Sequence, residues 1–251
     1  MARKDEYYNK AKQQGYRSRA AYKLQQLDEM EDLLSDGDRV VDLGAAPGGW
    51  LQVATERVGT GAVVGVDLQR IDPIEGVETI KGDMTDEQTR EEIVERVGEA
   101  DVVLSDMAPN MTGEYSLDQA RSVHLARQAF ETACALLRPG GDFVVKVFEG
   151  RDLDTLRDDM EAEFEYVRTT SPAASRKESS EVYLIAKGFL TAPVEEGETL
   201  TVEIEGVGSE GDGIATVEGF TIFVPDTDEG ETVEIEIEDV KPRFGFAKRR
   251  D

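Results

Sequence analysis

What the chain lacks narrows it first. Its one cysteine among 251 residues, Cys134, can close no intramolecular disulfide and offers no paired-thiol metal spacing; within "FETACALLRPGG" it reads as core on a helix face. No apolar run approaches the roughly 20 residues that a bilayer crossing needs, and "MARKDEYYNKAKQQGYRSRA" holds no apolar segment of the signal-peptide kind. A cytoplasmic protein with no membrane partner is expected. The only histidine, His124 in "SLDQARSVHLARQ", fits a helix surface or a core better than a general base. The acids Asp158, Asp159, Glu161 and Glu163 are dense but lack a fixed ligand spacing, so they read as a solvated face and no metal is expected.

Positive charge is also scarce: 28 Lys and Arg face 54 Asp and Glu, a net charge of −26 with pI near 4.4. That alone argues against nucleic acid, because phosphate binding draws on Lys and Arg. The distribution reverses the argument. Arg3, Lys4, Lys10, Lys12, Arg17, Arg19 and Lys23 crowd the first 25 residues against Asp5 and Glu6, and the tail "KPRFGFAKRR" carries five basic residues. An acidic body between basic ends fits a protein working in molar salt, where the Debye length falls to about 3 Å, and points to a halophilic source.

The 39% hydrophobic content supplies a core, and its patterning gives two domains. "SRAAYKLQQLDEMEDLL" spaces Ala21, Leu24, Leu27, Met30, Leu33 and Leu34 as an amphipathic helix starting near Ser18. Beyond it, short apolar runs alternate with helical segments: "RVVDLG", "AVVGVDL", "VETIKGD", the helix "TDEQTREEIVERVGE", "ADVVLSDMAP", a long helix from about Ser116 to Leu137, and "GDFVVKVF". That is the signature of an α/β, Rossmann-like parallel sheet buried on both faces. "EYVRTT" and "SEVYLIAKGF" complete it as an antiparallel hairpin, giving a domain over 1–190. From 193 to 251 the pattern changes to about five strands in period-2 alternation with Gly/Asp/Glu turns, a small OB-like β-barrel of the size that binds oligonucleotides.

"VVDLGAAPGGW" sits between the first strand and its helix. It puts Trp50 where a phosphate loop needs lysine, and Ala46 where a dinucleotide fingerprint needs its second glycine. Acids recur at the ends of this strand and later ones: Asp42, Asp67, Asp83 and Asp106. Ligands of such sheets bind outside the carboxyl ends of the strands, so these four should converge on a cationic ligand that has ribose hydroxyls and an adenine. S-adenosylmethionine fits, with Asp67 on the ribose, Asp83 on the adenine edge, and the Gly48-Gly49-Trp50 turn against the methionine moiety. The same acids could instead cap helices, but four in register with a glycine-rich loop favour a site. Cys134 lies mid-helix, which disfavours base C5 methylation, and "SDMAPNM" lacks the paired prolines and aromatic expected for amino-group methylation.

In "RSRAAYKL", "DLGAAPGGW", "GVDL", "GDM", "SDMAPNMTG", "VVKVFEG" and "SRKESSEVYLIAKG" the chain resembles the FtsJ/RrmJ-type RNA ribose 2′-O-methyltransferases over about residues 7 to 189. The resemblance implies a catalytic tetrad of Lys23, Asp106, Lys146 and Glu181. A lysine flanked by Val145 and Val147 can act as a base if desolvation and a nearby cation lower its pKa; Asp106 opposes that, leaving the alternative that Lys146 stays protonated and positions the hydroxyl. The C-terminal segment resembles a TRAM domain, which implies RNA delivery. Phe220, Phe223, Phe244 and Phe246 would stack on bases beside Lys241, Arg243, Lys248, Arg249 and Arg250, with barrel core as the competing role for some of these rings. The implied activity is S-adenosylmethionine-dependent methylation of a uridine in large-subunit ribosomal RNA by a monomer from a halophilic archaeon, with Arg17, Arg19 and the basic tail on RNA phosphates. A transfer-RNA methyltransferase of the same family and a non-catalytic RNA-binding assembly factor are the alternatives.

Overall fold

The computed structural model describes residues 6–176, 179–208 and 211–250; Arg3 and Lys4 lie outside them. The chain divides into two compact units, 1–189 and 190–251. The first holds α1 (Glu6–Gln14), α2 (Ala21–Glu31), β1 (Arg39–Leu43), α3 (Gly49–Val58), β2 (Ala62–Asp67), β3 (Val77–Lys81), α4 (Glu87–Val97), β4 (Ala100–Ser105), α5 (Tyr115–Leu136), β5 (Leu137–Phe148), α6 (Leu153–Glu163), β6 (Phe164–Thr170) and β7 (Glu181–Phe189). Its seven strands run in the order β3-β2-β1-β4-β5-β7-β6. The pairs from β3 to β5 are parallel, and β7 enters antiparallel between β5 and β6.

Strand alternation sorts the side chains into two cores, one per sheet face. Val41, Leu43, Val103, Phe143, Val145, Val147, Val182 and Leu184 join α4, α5 and α6 residues on one face. Val40, Val102, Leu104, Val144, Tyr183 and Ile185 join α2 and α3 on the other. The same period assigns Asp42, Lys146 and Glu181 to the α2/α3 face, which fixes where any polar cluster at the strand ends can form.

Several expectations need correction. The first core helix starts at Ala21 rather than near Ser18, because residues 18–20 make tight turns, with Ala21 N–H on the Ser18 carbonyl and Tyr22 N–H on that of Arg19. It stops at Asp32, whose φ of 52° is left-handed. Leu33 and Leu34 therefore lie beyond the helix, yet stay buried by giving their N–H groups to Asp28 Oδ1 at 3.2 and 2.9 Å. Met30 faces outward, 42% exposed. Helices α1 and α6 were not foreseen, since α1 buries only Ala11 and α6 only Leu156 and Met160, too few apolar positions to set a helical period. The acids of α6 do lie on a charged surface, Asp159 against Arg127 and Glu161 against Arg157.

Among the described residues the second unit has six strands, β8 (Thr199–Glu203), β9 (Gly206–Val207), β10 (Gly213–Val217), β11 (Phe220–Val224), β12 (Thr232–Val240) and β13 (Phe244–Arg249), in the order β8-β12-β13-β11-β10-β9. The two edge strands are successive pieces of chain joined through Ile204 and Glu205. Ile204 N–H reaches the Glu231 carbonyl on one side, and Glu205 N–H reaches that of Ile214 on the other. One bent strand thus curls the sheet round and pairs with both β12 and β10, leaving little open edge. The core inside holds Val202, Ile204, Ala215, Ile222, Val224, Ile235 and Ile237.

Candidate active site

Three strand ends and one helix build a single polar cluster. Asp106 follows β4, Lys146 lies near the end of β5, and Glu181 and Tyr183 open β7, which runs antiparallel and sets Tyr183 directly across from Lys146. Lys23 comes down from α2. Asp106 is the hub: its Oδ1 accepts from Lys146 Nζ at 2.9 Å and from the Tyr183 hydroxyl at 2.6 Å, and lies 3.7 Å from Lys23 Nζ. Lys146 Nζ donates to the Asp106 main-chain carbonyl as well. Lys23 Nζ also meets Glu181 at 2.8 Å and donates to the Tyr183 hydroxyl at 2.9 Å.

Lys23 is 7% and Lys146 6% exposed, so these charges are largely removed from water and need each other. Burial alone would raise the Asp106 carboxyl, but Lys146 and Lys23 outweigh it and hold it below the ordinary carboxylate range. Glu181 behaves likewise, raised by burial and brought down past its usual value by Lys23. Burial and the two neighbouring acids push the Tyr183 phenol far upward, so it stays a neutral donor to Asp106. Tyr183 is the participant that motif reading missed. Its signal was in the sequence: in "EVYLIA" it sits two residues after Glu181 and therefore on the same strand face.

The strand-end acids divide. Asp67 accepts N–H groups from Ala46 at 2.9 Å and Gln69 at 2.7 Å, tying the β2 end to the glycine loop. Asp42 is 1% exposed and neither of its oxygens meets a partner; burial, Asp106 and Asp67 together drive its carboxyl well up. Asp83 is held apart, its Oδ1 taking the Thr85 N–H at 2.9 Å and hydroxyl at 2.7 Å in a local turn that lowers its pKa. Asp67 and Asp106 thus both act on Asp42, whereas Asp83 caps its own loop.

The glycine loop owes its path to two left-handed glycines, Gly44 at φ 81° and Gly48 at φ 107°, and α3 starts at Gly49. A Cβ on Gly44 would run into the Met107 side chain, and one on Gly48 would come within 3.1 Å of Arg17. Trp50 is buried, donating its indole N–H to the Ala20 carbonyl at 2.8 Å. Arg17 clamps the loop: its guanidinium donates to the carbonyls of Pro47 at 3.2 Å, Asp72 at 2.6 Å and Pro73 at 2.8 Å. Arg19 Nη2 donates to the Ala174 carbonyl.

Away from this cluster, Cys134 is half-buried against the α5 core and its thiol is pushed up to about 12 by burial and Glu163, which keeps it unreactive. His124 is exposed on α5. In the second unit the ring at Phe220 is only 6% exposed and belongs to the core, correcting its assignment to a stacking surface. Alternation along β11 turns Phe223 to the other side, where it meets Phe244 and Phe246 at centroid distances of 5.8 and 5.7 Å. Phe244 and Phe246 are 36% and 40% exposed. The tail cations lie against the barrel's own acids: Lys241 on Asp239, Lys248 on Glu236, Arg249 on Glu231 and Arg250 on Glu234.

Comparison with known proteins matches the description FtsJ-like methyltransferase over residues 16–189 and a TRAM domain over 193–248. A ribosomal RNA large subunit methyltransferase E from Natronomonas pharaonis is 69% identical over 99% of both chains. One of the same name from Halorubrum lacusprofundi is 68% identical over 100% of this chain and 95% of that one. A crystal structure described as a candidate ribosomal RNA methyltransferase from Plasmodium falciparum is 30% identical, covers 70% of this chain and 100% of its own, and superposes with a TM-score of 0.64. With its seven-stranded sheet, its clustered lysines and acids, and these matches, the chain belongs to the FtsJ-like methyltransferase family and carries a TRAM domain at its C-terminus.

Proposed function

We propose that this chain methylates the 2′-hydroxyl of a uridine in large-subunit ribosomal RNA, taking the methyl group from S-adenosylmethionine, with residues 1–190 as the methyltransferase domain and 193–251 as an RNA-binding barrel. The observation that carries this reading is the Asp106 hub, which gathers Lys146, Lys23 and Tyr183 at the carboxyl edge of the sheet. The residues present also fit a cationic methyl donor, because Asp42 holds two buried oxygens with no partner beside Asp67. In this reading Asp42 and Asp67, with the turn at Gly48 and Trp50, border the donor; Asp83 keeps one carboxylate oxygen for the adenine edge. When bound, S-adenosylmethionine supplies a sulfonium-activated methyl group.

Two hydrogen-bonding positions of Lys146 Nζ are taken by Asp106, and the third is the one that meets the ribose hydroxyl. Asp106 fixes that nitrogen in space, and Lys23, anchored by Glu181 and Tyr183, keeps Asp106 ionised. A hydroxyl is a weak nucleophile near neutrality, so its approach in line with the methyl group depends on this orientation and on a place for its proton. Single-turnover rates across pH distinguish the two roles of Lys146: a base gives a rate that climbs with pH to a plateau, and a positioning donor does not.

RNA is held, in the same reading, by the exposed rings of Phe244 and Phe246, with the half-buried Phe223 packed against them, and by Arg17, Arg19 and the tail cations. These cations are not equivalent. Exposed pairs such as those of the tail exchange readily for phosphate, whereas Arg17 would have to leave three carbonyls that shape the glycine loop. Mapping 2′-O-methyl groups in cellular RNA with and without the protein tests the function. Loss of a single large-subunit site is expected; loss confined to transfer RNA, or no loss, would overturn it.

A further inference from the structure

Three carboxylates stand at the ends of neighbouring strands, and the protein compensates only two of them. Asp106 has Lys146 and Lys23. Asp67 has two main-chain N–H groups. Asp42 has neither a cation nor a donor, and it is 1% exposed. Its surroundings offer no relief. On β2 the facing charge is Asp67 and at the end of β4 it is Asp106, both of the same sign. The helix α3, packed on β1, directs its Glu56 to Tyr16 and its Arg57 to Asp28. The lysines of the cluster lie beyond Asp106 and are engaged there.

An ionised carboxylate buried without hydrogen bonds between two like charges is among the costliest arrangements a fold can hold, and such groups escape the cost by taking up a proton. A cation arriving within about 4–6 Å reverses the balance and favours the ionised form. We propose, resting on the cofactor reading above, that Asp42 is a neutral carboxylic acid in the free enzyme and gives its proton to solvent when a cationic group of the methyl donor settles beside it. Cofactor binding then releases up to about one proton. Affinity for the donor rises with pH until Asp42 is already ionised in the free protein. Molar salt leaves this coupling in place, because screening by mobile ions acts weakly on buried charges.

Two groups of S-adenosylmethionine can supply the cation, its ammonium and its sulfonium, and only the ammonium persists in the demethylated product S-adenosylhomocysteine. Isothermal titration of S-adenosylmethionine into the intact protein, in molar salt and in buffers of different ionisation enthalpy, reads the proton directly. The heat is expected to vary linearly with buffer enthalpy, with a slope that shrinks as rising pH ionises Asp42 in the free protein. In the Asp42→Asn variant the slope should vanish, and the weaker binding that is left should no longer gain affinity as pH rises. The same slope with S-adenosylhomocysteine identifies the ammonium as the partner; its absence there identifies the sulfonium. An infrared difference spectrum of the unaltered protein supplies a readout independent of the variant: a protonated-carboxyl band should disappear on binding. Binding heat independent of buffer overturns the inference but leaves the cofactor reading standing, as does a slope unchanged by Asp42→Asn. Absence of any binding heat overturns both.

Discussion

Lys23 and Lys146 in the first unit are 7% and 6% exposed and share Asp106, while Lys23 also meets Glu181. Lys248 and Arg249 in the second are 48% and 44% exposed at the side chain and meet Glu236 and Glu231. The two sets use the same pairing chemistry at similar distances, so burial is what separates them. Charges taken from water depend on each partner being present and correctly placed, and they hold a fixed geometry in return. Charges left in water lose little when a partner goes, and they stay available to another anion. The first set suits chemistry at one point; the second suits loose engagement along a polyanion.

The contrast can be broken from its strong side first. Lys146→Ala should lower methyl transfer by about 10²- to 10⁴-fold, the range for losing a proton-handling group, while S-adenosylmethionine binding persists; radiolabel transfer and calorimetry check both, and a variant of near-normal activity would remove Lys146 from the chemistry. Asp106→Asn leaves two buried lysines with Glu181 alone and should destabilise the fold by about 3–5 kcal/mol in denaturant titration.

Phe246→Ala keeps the fold, because the ring is 40% exposed, and should weaken RNA binding by about 1–3 kcal/mol if a base stacks there, as read by filter binding. Acid should discriminate among the carboxyls. Asp106 and Glu181 titrate below their ordinary range in the fold; their contribution is present at neutral pH and is lost as pH falls below about 4 through those values. Asp42 is raised, so its contribution is complete below its ordinary value and is lost as pH climbs through the folded one. Without cofactor, the melting temperature of Asp42→Asn should therefore gain on that of the unaltered protein as pH rises. The smallest effect belongs to Lys248→Ala: no resolvable change in melting temperature in molar salt, and a loss of RNA affinity visible only when salt is lowered. A large melting shift would show that the barrel's pairs are not as dispensable as their exposure implies.

How legible all this was in the sequence depends on the kind of signal. Continuous apolar strands such as "RVVDL" announced a sheet buried on both faces, because only such a sheet tolerates them. Lys23, Asp106, Lys146 and Glu181 were legible as motif residues, although 160 positions separate Lys23 from Tyr183 and no local pattern brings them together. Tyr183 went unread because an aromatic residue on a strand reads as core. Arg17 was read by its charge alone, whereas its guanidinium geometry serves three carbonyls. Phe220 and Phe223 differ by one alternation on β11, and period-2 counting from the buried Ile222 would have separated them. Helix α6 stayed hidden because eleven residues with two buried positions leave no hydrophobic stripe to count.

The position of β7 bears on how the enzyme becomes competent as it is made. β7 is the last strand of its sheet to emerge but lies inside the sheet, and β6, made before it, has β7 as its only sheet neighbour. A chain that has reached Thr170 therefore has β6 with no ladder to join, and it lacks Glu181 and Tyr183. Pairing over such long sequence separations is slow to form. Insertion of one strand completes the sheet, gives β6 its partner and closes the ring of groups around Asp106, so the cluster cannot assemble before the last strand of its sheet is in place.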